Sequence, residues 1–407
     1  MKESKYNIDI QMAGRTITYN SLSKAFVNTN YFRENIEQDK EILYKNGFLI
    51  DDDMDEMSCL KYMYNNDYFN NDNLTIILTP TWKCNFDCPY CVEKNSNSVQ
   101  ISDQFFDVIK KFAYKYFKKY KHIHISLFGG EPLLLSNKIF DFLDYVQVLG
   151  SNPAYNYTLS TSITTNGSLL DRNIIEQLNK FNCLSAQITL DGDREKHNNL
   201  RKFKSGSGSF DILIDKIKMA TRLFNDNCNF ILRFNLENIS EQAIEKVLLL
   251  FNEEEKKKIN LLFRLIYNTK CYSEDNLMQT NELIKFYEVA KKQGFTTNQE
   301  TYRYKPCEAG GGLNLFYILP DLSIWKCIHD LNIKEACIGN INEKGDLEIK
   351  TKNFINWYKA SNWLDDVNCV NCKMLPDCMG GCIMHKIRTG EKQCRDAYAF
   401  SLPFMYR

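Results

Sequence analysis

The chain has 407 residues, 44% of them hydrophobic, with 51 Lys and Arg against 51 Asp and Glu. That length supports two or three domains with a sizeable core, and the balanced charge excludes any general pull toward nucleic acid or a membrane surface. No stretch reads as a signal peptide or a bilayer span, so a cytoplasmic location with no membrane and no nucleic-acid partner is expected.

Residues 1–73 mix helical and strand signals and are expected to form a small α/β or helical module. From residue 74 a strand–helix alternation begins. Residues 74–80, "LTIILTP", read as an apolar strand that runs into a cysteine loop. Ser102 is expected to cap the next helix, with Phe105, Val108, Ile109, Phe112 and Tyr116 along one stripe. The basic aromatic run over 110–122 belongs to this helix's outer face and is not a nucleic-acid patch. A second strand covers 122–128. Ser136 opens another helix, which Gly150 can end. "YTLSTSITT", "LSAQITLDG", "NFILRFNLE" and "INLLFRLIY" complete six strands, with helices starting near Asp171, Phe210 and Ser240. The pattern predicts an α/β fold, a parallel sheet curled into a partial (β/α)6 TIM-like barrel over residues 74–296. Chemistry in such barrels sits at the C-terminal strand ends. Residues 297–407 are Gly-containing and cysteine-rich, and are expected to need metal to hold their fold.

Fifteen cysteines in a reducing compartment point to metal rather than disulfides. They cluster. Cys84, Cys88 and Cys91 lie in "CNFDCPYC", spaced C-x3-C-x2-C, and Cys307, Cys327, Cys369, Cys372, Cys378, Cys382 and Cys394 lie in the last quarter. Cys183 and Cys228 sit among apolar residues and read as small core side chains. Three thiolates can hold three irons of a [4Fe–4S] cube and leave the fourth open to a reactant. A zinc loop could mimic this spacing.

The three-cysteine motif resembles that of the radical S-adenosylmethionine (SAM) enzymes, over roughly residues 74–267. Further matches are "FGGEPLL" at the end of strand two and "TLDGDREKHNNLR" at the end of strand four. The resemblance implies that Gly129, Gly130 and Glu131 hold the SAM amino group, Thr189 the ribose, Arg201 the carboxylate and Tyr90 the adenine. His197 either belongs to the same run or structures its loop. The resemblance further implies that an electron from a donor such as flavodoxin or ferredoxin passes through the cluster to SAM. The S–C5′ bond then breaks, and the 5′-deoxyadenosyl radical abstracts hydrogen from an unactivated C–H bond.

The C-terminal pattern C-x2-C-x5-C-x3-C, followed by one more cysteine, looks like the SPASM extension of these enzymes, which carries two auxiliary clusters. The resemblance implies three [4Fe–4S] clusters in all. Cys369, Cys372, Cys378 and Cys394 would hold the outer auxiliary cluster, and Cys307, Cys327 and Cys382 the inner one. Cys337 is a fourth ligand to the inner cluster, or else that position is open to a substrate thiolate. Leu322 stands where the family usually has glycine.

The expected activity is that of a radical SAM oxidoreductase acting on a ribosomally synthesised precursor peptide. It would form an intrapeptide crosslink, most simply a thioether, with residues 1–73 as a possible peptide-recognition segment. The alternatives are a sulfatase-maturing enzyme, another SPASM peptide oxidase or epimerase, and a metal-binding scaffold without catalysis. Ile328 after Cys327 and the cysteine-free "EAGGGLN" count against formylglycine chemistry.

Overall fold

The computed structural model describes residues 1–12, 15–91, 104–236, 239–265, 276–297, 312–328, 331, 333–392 and 394. Strand β1 (Lys2–Glu3) is short. Strands β2 (Asn7–Met12), β3 (Arg15–Asn20) and β4 (Phe26–Asn28) form an antiparallel sheet. Strand β5 (Leu49–Ile50) pairs antiparallel with β1. Helix Glu56–Tyr68 follows, its start fixed by Asp55, whose carboxylate accepts from the backbone N–H of Met57 and Ser58. Its Tyr64 packs edge-on against Trp363, and its Tyr68 stacks on Trp357. These aromatic contacts tie the N-terminal segment to the far end of the chain.

Six parallel strands follow: β6 (Asn73–Leu78), β7 (His122–Leu127), β8 (Thr158–Thr165), β9 (Cys183–Leu190), β10 (Asn229–Leu236) and β11 (Ile259–Leu265). They neighbour one another in chain order and match the six expected strands. Some of the helices between them begin at side-chain caps, whereas Ser136–Gly150 and Phe210–Leu223 have none. Asp171 accepts from Ile174 N–H, Asp193 from Lys196 N–H and Ser240 from Ala243 N–H. The expected cap at Ser102 lies outside the described residues, and that helix runs Phe105–Tyr116. Its Phe105, Val108, Ile109 and Phe112 are buried, as the stripe predicted. Its basic face latches onto the C-terminal part, with Lys115 pairing Asp346 at 2.5 Å. Gly150 is the last residue of helix Ser136–Gly150, and a Cβ there would lie 2.6 Å from the Tyr157 ring, so the packing leaves room only for glycine.

The sheet does not stop at the barrel. Strand β12 (Thr296–Thr297) adds to β11 in parallel. On the opposite edge β13 (Leu315–Ile318) runs parallel to β6. Strands β14 (Ser323–Trp325), β15 (Cys337–Ile341) and β16 (Leu347–Ile349) extend it antiparallel into one eleven-stranded sheet. Strands this short, among glycines, carry almost no periodic signal. Lys326 was equally illegible. It is buried, and its ammonium donates to the carbonyls of Gly312, Leu313 and Leu315 at 3.0, 2.8 and 2.8 Å. It also sits 4.3 Å from the Trp357 ring centroid. Burial holds its pKa well below the ordinary lysine value. Lys326 thus sews the strand preceding Cys327 to the segment leading into β13. No helix among the described residues is long and apolar enough to cross a membrane.

Candidate functional site

The loop after β6 carries Cys84, Cys88 and Cys91 at the C-terminal end of the parallel sheet. It is pinned from two sides. Asp87 N–H donates to Lys202 O and Lys204 N–H to Asn85 O, both at 2.9 Å, so the loop is zipped to the segment just after Arg201. Phe86 packs edge-on against Phe203 with centroids 4.8 Å apart. On the other side Gly130 N–H donates to Thr81 O at 3.0 Å and Glu131 N–H to Lys83 O at 2.9 Å.

The two glycines are needed first by the chain itself. A Cβ on Gly130 would lie 2.4 Å from Lys83 O and 2.5 Å from Trp82 O. Gly129 has φ +129°, and a Cβ there would lie 2.6 Å from Thr81 O. Only glycine lets the end of β7 approach the cysteine loop this closely. Glu131 is buried. Its carboxylate accepts from Thr165 Oγ1 at 2.7 Å, Asn166 N–H at 2.7 Å and Leu133 N–H at 3.1 Å. Burial raises its pKa, and these three donors oppose the rise. Glu131 therefore joins the ends of β7 and β8, a role that the sequence did not disclose.

Burial also raises the Cys84 thiol, and it pushes Cys88 up to about 11. Arg201 opposes the rise at Cys88, while Cys91 and Cys84 add to it. With burial raising both thiols, Cys84 and Cys88 are poor thiolates alone, and a polycationic partner would supply the missing charge. The Cys84 sulfur already accepts from Phe86 N–H at 3.4 Å and Asn166 Nδ2 at 3.6 Å, contacts that orient a ligand sulfur. Among the described residues no three His, Cys, Asp or Glu side chains, the loop cysteines included, stand close enough to hold a single ion.

Facing the loop is a polar network of Asp191 just after β9, of Arg201, and of Asn235 on β10. The Tyr90 hydroxyl donates to Asp191 and accepts from Arg201 Nη1 at 2.9 Å and Asn235 Nδ2 at 3.4 Å. Burial lowers the Arg201 pKa, but Tyr90, Asp191 and Cys88 outweigh it and leave the guanidinium firmly charged. Two buried atoms here have no partner among the described residues, Asp191 Oδ1 and Arg201 Nε. They offer one acceptor and one donor to a bound molecule, which suits SAM, with its ammonium, hydroxyls and carboxylate. Thr189 lies on β9 directly across from Arg233 on β10 and is buried.

His197 is buried and structural in its contacts. Its Nδ1 accepts from Asp191 N–H at 3.2 Å, so the proton sits on Nε2, which donates to Ser209 Oγ at 2.9 Å. Ser209 in turn donates to Arg201 O. Burial and Arg201 pull its pKa down to about 3.

In the C-terminal segment, Cys327 and Cys337 are buried in one apolar cluster, with Cys382 packed against it. Cys382 caps helix Ile383–Thr389, accepting from His385 N–H at 3.4 Å. The Cys337 thiol donates to Gly339 O at 3.4 Å and accepts from Lys350 Nζ at 3.2 Å. Burial raises the Cys369 thiol, and Cys378 and Cys394 lie near enough to push it further. Cys372 and Cys394 are exposed. Cys307 lies outside the described residues. Leu322 adopts φ +65°, the left-handed conformation that favours glycine, in a turn closed by Leu322 N–H to Leu319 O at 2.8 Å. The turn survives the loss of glycine at a cost on the order of 1 kcal/mol.

Residues 78–250 match the radical SAM superfamily. The radical SAM cyclopropyl synthase TigE of Paramaledivibacter caminithermalis is 26% identical over 340 residues, 74% of this chain. The chain spans 66% of that protein's length. A cysteine-type anaerobic sulfatase-maturating enzyme of Clostridium novyi is 24% identical over 349 residues, 77% of this chain and 89% of that protein. Among solved structures, Streptococcus suis SuiB bound to precursor peptide SuiA aligns with a TM-score of 0.56 at 16% identity, over 98% of this chain and 99% of that one. This last likeness is one of fold.

Proposed function

Proceeding from residues 78–250 as a radical SAM domain, we propose that the protein is a peptide maturase that crosslinks a ribosomally made precursor, most simply through a thioether. One observation carries the reading: the three-thiol loop is zipped to the Arg201 segment and faces the unpaired Asp191 and Arg201 atoms. When bound, a [4Fe–4S] cluster on Cys84, Cys88 and Cys91 together with SAM supplies a carbon radical able to take hydrogen from an unactivated C–H bond.

The chain's own residues position the reactants. Arg201 receives the SAM carboxylate, Thr189 the ribose, Tyr90 the adenine and the Gly129–Glu131 turn the ammonium. Asp191 and Asn235 hold the Tyr90 hydroxyl in place, and His197 holds the Arg201 backbone through Ser209. The buried walls of the sheet keep water from the reacting carbon. Residues 297–407, as a SPASM unit, hold two further clusters, the outer on Cys369, Cys372, Cys378 and Cys394 and the inner on Cys307, Cys327 and Cys382. An external flavodoxin or ferredoxin supplies electrons. Residues 1–73 receive the precursor. The peptide-bound SuiB structure and the maturating relative from Clostridium novyi support a peptide substrate. The second relative also favours a second reading, sulfatase maturation, against which Ile328 stands.

Anaerobic reconstitution tests the proposal. Full loading gives about twelve irons per chain. Replacing Cys84, Cys88 and Cys91 by Ala removes about four and abolishes 5′-deoxyadenosine formation. Incubation with short peptides encoded beside the gene yields a product lighter by two hydrogens per link. Formylglycine in a sulfatase-derived peptide, with no crosslink in the neighbouring peptide, would establish the second reading instead.

A further inference from the structure

The loop that leaves β6 serves two cores. Phe86 and Cys88 are buried in the barrel core, and Cys84 and Cys91 pack against it. Trp82, two residues before Cys84, turns the other way. Its indole is 4% exposed and belongs to a separate apolar cluster with Ile77, Tyr317, Trp325, Cys327, Cys337 and Met384. Cys382 packs against the same cluster. Sheet pairing builds this second core. Ile77 of β6 lies opposite Tyr317 of β13, Tyr317 opposite Trp325 of β14, and Trp325 opposite Cys337 of β15. Cys327 follows two residues after Trp325. Strand pairing thus gathers Trp82 with cysteines from the other end of the chain.

Trp82 Nε1 is buried and has no hydrogen-bond partner among the described residues. An indole N–H can only donate, and a buried one ordinarily finds an acceptor. Within its cluster the side-chain acceptors are the Tyr317 hydroxyl and the sulfurs of Met384, Cys327, Cys337 and Cys382. Two of these sulfurs already serve as acceptors. Cys382 takes His385 N–H at 3.4 Å, and Cys337 takes Lys350 Nζ at 3.2 Å. An iron–sulfur group seated on the inner cysteines adds inorganic sulfides, whose negative charge an N–H donor relieves. The orphaned indole N–H fits such a group.

We propose that Trp82 serves the inner auxiliary cluster, donating its indole N–H to one of that cluster's sulfurs. This deepens the two-cluster reading of residues 297–407 and rests on it for the presence of the inner cluster. The residue assigned belongs to the barrel loop and not to the C-terminal segment. Because Cys84 lies two residues on, one short loop holds the first cluster and tunes the second. Each added electron increases the negative charge on the sulfurs, so a donor to sulfur stabilises the reduced form more than the oxidised one. Trp82 therefore raises the potential of the inner cluster.

Two measurements on the reconstituted full chain test this, and neither needs turnover. The first is a potentiometric titration followed by electron paramagnetic resonance. In Trp82→Phe one cluster should move to a more negative midpoint, with the others unchanged and iron still at about twelve per chain. A chain carrying 3-benzothienylalanine at position 82 keeps the indole's shape and loses only the N–H, and it should show the same shift. The second uses protein whose tryptophans carry 15N in the indole ring. Pulsed resonance on the reduced wild type should detect a nitrogen coupled to a cluster, and Trp82→Phe should lose that coupling. Four outcomes overturn the assignment: no coupling in the wild type, the same coupling in Trp82→Phe, unchanged potentials in the benzothienyl chain, or loss of iron from that chain, which would make Trp82 a packing residue. Failure of the two-cluster reading would appear separately, as full iron retained by Cys327→Ala and Cys382→Ala.

Discussion

The Lys24 ammonium and the Asp377 carboxylate form a buried ion pair between the N-terminal module and the cysteine-rich segment. Asp377 immediately precedes Cys378. The Tyr19 hydroxyl also donates to it at 3.0 Å, and Lys24 reaches Pro376 O at 3.3 Å. Ser21 Oγ donates to Lys373 O at 2.5 Å, and Lys373 Nζ to Asn7 O at 3.1 Å. The loop from Cys372 to Cys378 is thus stapled to β2, β3 and the turn after β3.

Removing one partner leaves the other charge buried. Asp377→Ala should cost about 3–5 kcal/mol in denaturant unfolding, and Lys24→Met with Asp377→Leu together should recover most of it. Asp377→Ala should also expose the first 70 residues to limited proteolysis. Wild-type resistance in that variant would show that the staple does not hold the module.

His197 makes stability pH-dependent. Its folded pKa of about 3 lies below the unfolded value of 6.5, because burial first and then the nearby Arg201 charge disfavour its protonated form. Its contribution is complete above pH 6.5 and is lost as pH falls toward 3. Between pH 7 and pH 5 the expected loss is about 2 kcal/mol. His197→Asn should flatten that slope in urea titrations at the two pH values. An unchanged slope would assign the acid sensitivity to other groups.

Cys337 offers a sharper outcome through iron content. Its sulfur is engaged by Gly339 O and Lys350. Cys337→Ala should keep wild-type iron, whereas Cys327→Ala and Cys382→Ala should each lose about four irons. If Cys337→Ala loses the same four, Cys337 is the inner cluster's fourth ligand. A substrate thiolate then has no place there.

The six barrel strands were legible because each is a run of six to eight residues, apolar or with apolar residues alternating, set between helical stretches. Cys84, Cys88 and Cys91 were legible because short-range spacing alone brings three thiols onto one loop. Tertiary structure decided the rest. The burial of Glu131 and Lys326 was not legible, since nothing local foretells that the Leu133, Thr165 and Asn166 donors, or three carbonyls beside β13, will enclose them. The joining of the C-terminal strands to β6 rests on pairing across more than two hundred residues, which leaves no periodic trace.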